Sequence, residues 1–404
     1  MGKSLLLFCL LICLSPFGFS KVGDLPLQLD DGEQPETPKV VLLLEDGSPF
    51  WQRVERFTRM AAQDLKLDLQ VRFCDAKGRN QLSIGREALE QGASGLIFSP
   101  FGEQSKELLA LADSYGVPTV TIKSSFPEST HKPQVMHRNW IGSVTANSKV
   151  LGSMLARQLL EQADPEKPEL QLLVIAGPES DPEVQQQLAG IRAYLEILPQ
   201  PVKLTVKYTQ WRARDAERAL KQALEQQGLD AVLAMNAVMA LAVAKQAEEE
   251  GLLLGTSNWD ADVAEAMRGG KIHAGIGGVE FQGAFALVML ADHLRGVDLS
   301  GQAFNQYLNL IAINGENLNR YWQLFDVSNF NPDFSQISMA ANPRIMSLDF
   351  RLENLIPDLD VHEFIARLSP EELQFLQQHQ VVDVGVAPDA APVDFLSLKG
   401  VHQA

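Results

Sequence analysis

The sequence predicts an α/β protein of two lobes, each built on a parallel sheet, and three observations carry that expectation. Short apolar runs typical of buried strands alternate with segments whose apolar residues recur at helical spacing. The alternation completes one set, stops, and restarts as a second set of about equal size. The chain has 404 residues, 46% hydrophobic and 21% charged, which is a globular composition with room for two or three domains. Strands separated by one helix each imply parallel βαβ units, and two such sets favour two lobes over one wide sheet.

Val40 to Leu44 is a continuous apolar run, as expected of a strand covered on both faces. Phe50, Val54, Phe57, Ala61 and Leu65 follow at helical spacing. Strands at Leu69–Phe73, Gly95–Phe98 and Pro118–Ile122 come next, separated by helices over about Gln81–Gln91 and Ser105–Tyr115. The second set has strands at Leu172–Ala176, Val202–Tyr208, Ala231–Met235 and Leu252–Leu254. Its helices span about Val184–Leu195, Ala213–Gln226, Ala237–Glu249 and Ala261–Met267. A helix at Gly283–Leu294 and a strand at Tyr307–Ile313 complete it. Gly275, Gly277 and Gly278 lie too far from the first strand to form a dinucleotide turn, and read as a glycine-lined crossing between lobes.

Both ends differ in texture. Lys3, the apolar run Leu5–Leu14, Pro16 and the small residues Gly18 and Ser20 read as a signal peptide over 1–20, cleaved after Ser20, so the mature chain is expected in the periplasm. Ile12 stands where lipid attachment at Cys13 would need a small residue. Cys74 is then the one cysteine of the mature chain, a packed thiol at a strand end. Residues 21–38 read as a flexible acidic leader. After Pro343 apolar residues thin out. The tail, 346–404, shows a helix start at Ser369 and Pro370 and a strand-like run at Val381–Val386, too little for its own core. A chain ending near residue 345 is therefore expected to stay folded.

A net charge of −17 excludes a nucleic-acid binder, because phosphates need a basic face, and disfavours anionic membranes. Nucleophile elbow, P-loop and H-E-x-x-H patterns are absent, and the seven histidines are scattered singly. No catalytic residue, metal or cofactor is expected. The strand-to-helix turns, where open α/β sheets bind ligands, carry the notable residues instead. After the first strand, Ser48 suits an N-cap and Pro49 an N1 position, which puts Phe50 and Trp51 in the first helical turn. Helix neighbours point about 100° apart, so one of the two is expected to line the cleft, where it can stack on the C–H face of a sugar or on another flat ligand. The alternative is that both pad the helix end. Asn258, Trp259 and Asp260 follow a second-lobe strand and can orient hydroxyls, or else form an Asx turn with Asp260 as a cap. Asn236 stands in the same relation to its strand, with the same capping alternative.

Pro49, Phe50 and Trp51 after a first strand, Trp140–Ser143 before a lobe crossing, Asn236 ahead of Met239–Leu241, and Asn258 with Trp259 together resemble the type I periplasmic binding proteins. The likeness spans about 39–325 and is nearest to the ribose-binding-like, sugar-type branch of ABC transporter receptors. It implies two Rossmann-like lobes with parallel sheets on a three-segment hinge: 39–145 plus 279–305, and 146–278 plus 306–345. It further implies a monomer that encloses a small sugar-like ligand and delivers it to an ABC permease. Phe50 and Trp51 match the family's aromatics and Asn236 its amide. Lys123 and Ser124 replace an Asp-Arg pair, Gln185 or a neighbour replaces an arginine, Ala237 follows Asn236 where an aspartate is usual, and Asn258 replaces a late aspartate. Fewer carboxylates and an added Lys123 cation point to an acidic or derivatised sugar, or another small polar metabolite, over plain ribose or galactose. The implied ligand set is Phe50, Trp51, Lys123, Gln185, Asn236, Asn258, Trp259 and Asp260. Leu368–Glu372 and Val384–Pro388 resemble the opening of a type II solute-binding domain found in exported halves of sensor kinases. That weaker likeness implies a descendant of a longer sensor, and a second reading: a ligand-sensing receptor docking on a membrane sensor kinase.

Overall fold

A computed structural model describes residues 37–355 except 76–77, 102–103, 125–136, 227 and 322–329, together with 382–384 and 396–398. Two six-stranded sheets organise the chain. The first contains β1 (Lys39–Leu44), β2 (Asp68–Phe73), β3 (Gly95–Phe98), β4 (Thr119–Ile122), β5 (Trp140–Thr145) and β11 (Asn305–Tyr307) in the order β11-β5-β4-β3-β1-β2, all parallel. The second contains β6 (Leu170–Ala176), β7 (Val202–Tyr208), β8 (Ala231–Ala234), β9 (Leu253–Thr256), β10 (Ala274–Gly277) and β12 (Ile311–Asn314) in the order β12-β10-β9-β8-β6-β7. Here β12 runs antiparallel to β10 and the other pairs are parallel. The α/β class of the sequence reading, with two parallel-sheet lobes, is the fold observed.

Helices cover both sheets, which is why the central strands are apolar on both faces. The first sheet carries α1 (Pro49–Asp64), α2 (Gln81–Glu90), α3 (Gln104–Ser114) and α9 (Gln282–Leu294); the second carries α4 (Ser148–Leu160), α5 (Pro182–Ile197), α6 (Ala213–Gln226), α7 (Ala237–Glu249) and α8 (Ala261–Arg268). Three segments cross between the lobes: Ala146–Asn147, Gly278 and Leu308–Leu310. Gly278 sits at φ 106°, a conformation an L side chain rarely adopts, so that glycine of the expected crossing has a backbone cause, whereas Gly275 and Gly277 lie within strand β10 and not in the crossing.

Three departures from the sequence reading have physical reasons. The strand expected over Tyr307–Ile313 is two strands, because the chain leaves one sheet at Tyr307 and joins the other at Ile311. Strand β10, Ala-Gly-Ile-Gly, lacks the β-branched texture that marks a strand, and is held by its neighbours on both sides. The third concerns residues 330–355, which pack on α1 and α9 of the first lobe. Phe350 stacks on Phe285 of α9 with centroids 4.8 Å apart, and Phe334 meets the same ring edge-on. Buried Asp292 accepts from Ser338 Oγ (2.5 Å), Met339 N (2.9 Å) and Ala340 N (3.1 Å). Phe350, Leu352 and Leu355 are buried, so a cut near 345 would open a packed surface, contrary to the expectation.

Cys74 is buried and free, and burial, helped by Asp75 and Glu45, pushes its thiol up to about 12. Among the described residues no helix is long and apolar enough to cross a membrane. The expected signal peptide, the leader to residue 36 and the helix at Ser369–Pro370 lie outside the described residues. In the tail, Val382–Val384 and Leu396–Leu398 pair antiparallel.

Candidate functional site

Strand order reverses beside β1 in one sheet and beside β6 in the other, since β2 and β3 flank β1 and β7 and β8 flank β6. Helices leaving neighbouring strands there go to opposite faces and leave a crevice at the carboxyl ends. Both crevices open on one cleft of about 310 Å³. Its walls come from residues just past β1, β4, β6, β7, β8 and β9.

From the first lobe, Ser48 and Pro49 start α1 as the sequence suggests, although the Ser48 hydroxyl makes no cap bond and Asp46 Oδ1 instead accepts from Ser48 N at 2.8 Å. Phe50 and Trp51 differ: Phe50 is half-buried on the cleft wall, whereas Trp51 borders the cleft and is 96% buried in the lobe. Their rings meet edge-on at 5.0 Å. Lys123, at φ 67°, turns back toward β1 and donates to Glu45 Oε1 and Oε2 at 3.0 and 3.2 Å. Burial pulls its ammonium down, but Glu45, Glu183 and Asp181 outweigh it and hold it above its ordinary value. Its charge is thus already matched by Glu45. The inference that Lys123 selects an acidic ligand therefore loses its basis.

From the second lobe, Asp181 caps α5 by accepting from Glu183 N at 2.9 Å, and both acidic side chains line the cleft. Burial raises the Glu183 carboxyl to about 7, with Lys123 opposing and Asp181 and Glu45 adding to the rise. Gln185, predicted as a ligand contact, is outside the lining and bonds to the Glu179 carbonyl (2.8 Å) and more weakly to the Tyr208 hydroxyl (3.5 Å). The reason is helical phase: Glu183 and Gln187, four residues apart, share the cleft face, and Gln185 lies about 200° round from Glu183. Asn236 lines the cleft and also caps α7, accepting from Met239 N at 2.7 Å. Asp260 likewise caps α8 through Val263 N (2.9 Å) while lining the cleft. The capping alternative raised for each of these residues is therefore what the structure shows, on side chains that also border the cleft. Asn258 lines the cleft, and its amide has no hydrogen-bond partner among the described residues.

Trp259 departs from expectation. It is 2% exposed, lies over Gly277, where any Cβ would overlap its indole, and its polar edge helps oppose the rise that burial imposes on the Glu280 carboxyl. The second-lobe aromatic of the cleft is Trp211, in the turn between β7 and α6, at φ 60° and seated against Gly177. An aromatic just past a strand end was its only sequence signal. Arg53 of α1 reaches across to Asp260 at 3.4 Å, linking the lobes at the rim. Trp211, Glu45, Asp181, Glu183 and Arg53 are the residues that spacing alone did not select. No group of His, Cys, Asp and Glu among the described residues is arranged to hold a metal ion.

A periplasmic sugar-binding protein from Pseudomonas fluorescens shares this fold with a TM-score of 0.68 and 26% identity, over 79% of this chain and 99% of that one. An ABC transporter periplasmic solute binding protein from Actinobacillus succinogenes 130z, with bound D-allose, is similar at TM-score 0.62 and 15% identity, over 70% of this chain and 100% of that one. An ABC transporter solute binding protein from Bacillus halodurans C-125, with bound myo-inositol, gives 0.58 and 16%, over 70% and 97%. The last two likenesses concern the fold alone. No curated protein matches the chain. The family described as periplasmic binding protein domain matches residues 40–298, from β1 through α9, and this chain belongs to that family.

Proposed function

We propose that the protein is an exported solute-binding protein of the periplasm that closes two lobes on a sugar or sugar derivative and delivers it to an ABC importer. The observation that carries this is the cleft: both sheets direct the carboxyl ends of their strands into it, with Phe50 on one wall and Trp211 on the other. Rings so placed stack on the C–H faces of a sugar, while carboxylates and amides at the rim accept from and donate to its hydroxyls. One chain holds a complete cleft, which supports action as a monomer. The family is one of binding proteins, and the cleft supplies groups that orient a ligand with no activated nucleophile among them.

Delivery requires that the closed form be favoured by the ligand, which it does only through its differential affinity for that form. The test is mass spectrometry of ligand retained through purification from the native host, followed by calorimetric titration of that compound. Recovery of a peptide or nucleotide in place of a sugar would overturn the reading. The second reading, docking on a membrane sensor kinase, rests on the sequence at 368–388. Uptake of the labelled ligand by cells with and without the protein separates the two: loss of uptake marks an importer.

A further inference from the structure

The cleft that the proposed function relies on has an unbalanced charge. Its two cations are both engaged, Lys123 with Glu45 (3.0 Å) and Arg53 with Asp260 (3.4 Å). Two second-lobe carboxylates, Asp181 and Glu183, remain without a countercharge of their own. Asp181 gives one oxygen to the helix as a cap, and the carboxylate of Glu183 takes part in no hydrogen bond among the described residues. The groups that face Glu183 are Lys123, Asp181 and Glu45, and their net effect together with burial is the raised carboxyl noted above.

Each class of ligand would change this balance differently. An anionic sugar would place like charge beside two carboxylates with no cation left to meet it. A neutral sugar would leave those carboxylates to lose water on closure, or Glu183 to take up a proton, with no charge supplied to them. A protonated amine brings three donors and the missing charge, and Phe50 and Trp211 offer aromatic faces to a cationic ring substituent.

We propose that the ligand carries a protonated amine on a hydroxylated ring, a free-amine amino sugar in chemical class, with Glu183 and Asp181 receiving the ammonium and Phe50 and Trp211 covering the ring. The proposal rests on the sugar-binding reading above and adds to it a selection for positive charge. Binding the cation favours ionised Glu183, so a proton leaves the site when the ligand binds near neutral pH.

The experiment titrates the full chain calorimetrically at pH 7 with matched sets of glucose and galactose in four forms: neutral, 2-amino, N-acetylated 2-amino, and uronate. The expected result is at least tenfold tighter binding of a free-amine form than of its neutral and acetylated counterparts. Its heat should depend on the ionisation enthalpy of the buffer, and Glu183→Gln should reduce the preference below threefold. Equal or better binding of a neutral or uronate form overturns the inference and leaves the sugar reading standing. So does a preference that Glu183→Gln does not change. Heatless titrations for all forms of both sugars would count against the sugar reading itself. The comparison among ligands on the unaltered chain does not depend on how the variant folds.

Discussion

Replacing Arg53 by Gln should open the cleft. Its guanidinium is the ion pair across the rim: Nη1 lies 3.4 Å from Asp260 Oδ2, and the two side chains are 24% and 22% exposed. Coulomb attraction at that distance, with an effective dielectric of about 20, is about 5 kcal/mol before any cost. Desolvation and the ordering of two side chains offset most of it, and fully exposed pairs measure only about 0.2–1 kcal/mol. This pair is mostly buried, and Arg53 also opposes the rise that burial imposes on the Glu280 carboxyl. A net contribution of about 1–2 kcal/mol to the closed form follows, roughly a 5- to 30-fold change in the ratio of open to closed molecules. Asp260→Asn is the proper partner variant, because asparagine caps a helix as well as aspartate does and so preserves the bond to Val263 N. Spin labels on Arg86→Cys and Lys221→Cys, both exposed and one on each lobe, report the lobe separation, while Cys74 stays buried and unlabelled. Wild type should show the shorter distance without ligand, and Arg53→Gln a larger population of the longer one. If the double-mutant cycle gives a coupling below about 0.3 kcal/mol and the distance distributions coincide, Arg53 is not a latch.

Trp259→Ala should unfold the second lobe more readily rather than weaken ligand contacts, with a loss of about 3–5 kcal/mol in urea titration; a variant with unchanged stability and reduced affinity would return Trp259 to the cleft. The ligand-free protein should lose stability as pH rises through about 7, because Glu183 has a carboxyl raised above its ordinary 4.5. Its contribution is fully present below 4.5 and gone above 7, on the order of 3 kcal/mol. Melting curves from pH 5 to 8 should therefore slope downward in wild type and flatten in Glu183→Gln. The Cys74 thiol should resist iodoacetamide at pH 8 in the folded chain and react in urea; prompt alkylation without urea would contradict its burial. Asp292→Ala leaves two backbone N–H groups and a hydroxyl without their acceptor and should cost about 3–5 kcal/mol in thermal or urea unfolding. A loss below 1 kcal/mol would mean that residues 330–355 do not stabilise the first lobe.

What could be read from sequence was local. Val40–Leu44 and Leu172–Ala176 are apolar without interruption because helices cover both faces, and that pattern survives in one dimension. The choice between Trp211 and Trp259 does not. Each follows a strand end, and what separates them is the glycine opposite: Gly277 admits the indole of Trp259 into the lobe, while Gly177 seats Trp211 at the cleft. Those pairings depend on which strands are neighbours. The pairing of Lys123 is equally invisible in one dimension, because Glu45 is 78 residues away in the chain. Gln185 is different, since Asp181 followed by Pro182 is a cap signal that fixes the phase of α5 and places Glu183 on the cleft face. That signal was present in the sequence.

The N-terminal ends of α5, α7 and α8 all open on the cleft, and helix N-termini by themselves favour anions. Two of the three are capped by carboxylates, Asp181 and Asp260, and α5 carries Glu183 in its first turn. The chain therefore supplies from its own side chains the negative charge that those termini attract. A helix end contributes about half a positive charge, less than one carboxylate removes, so acidic capping leaves an electronegative site at a place where the fold alone would have made an electropositive one. Asn236 is the exception among the three caps, a neutral one, and its Nδ2 lies 3.5 Å from the Trp211 carbonyl. At α7 the cleft accordingly presents a helix end whose dipole is not cancelled, which suits a hydroxyl oxygen. At α5 it presents carboxylates, which suit a cation. A ring with hydroxyls at one edge and an amine at the other satisfies both ends of the cleft together.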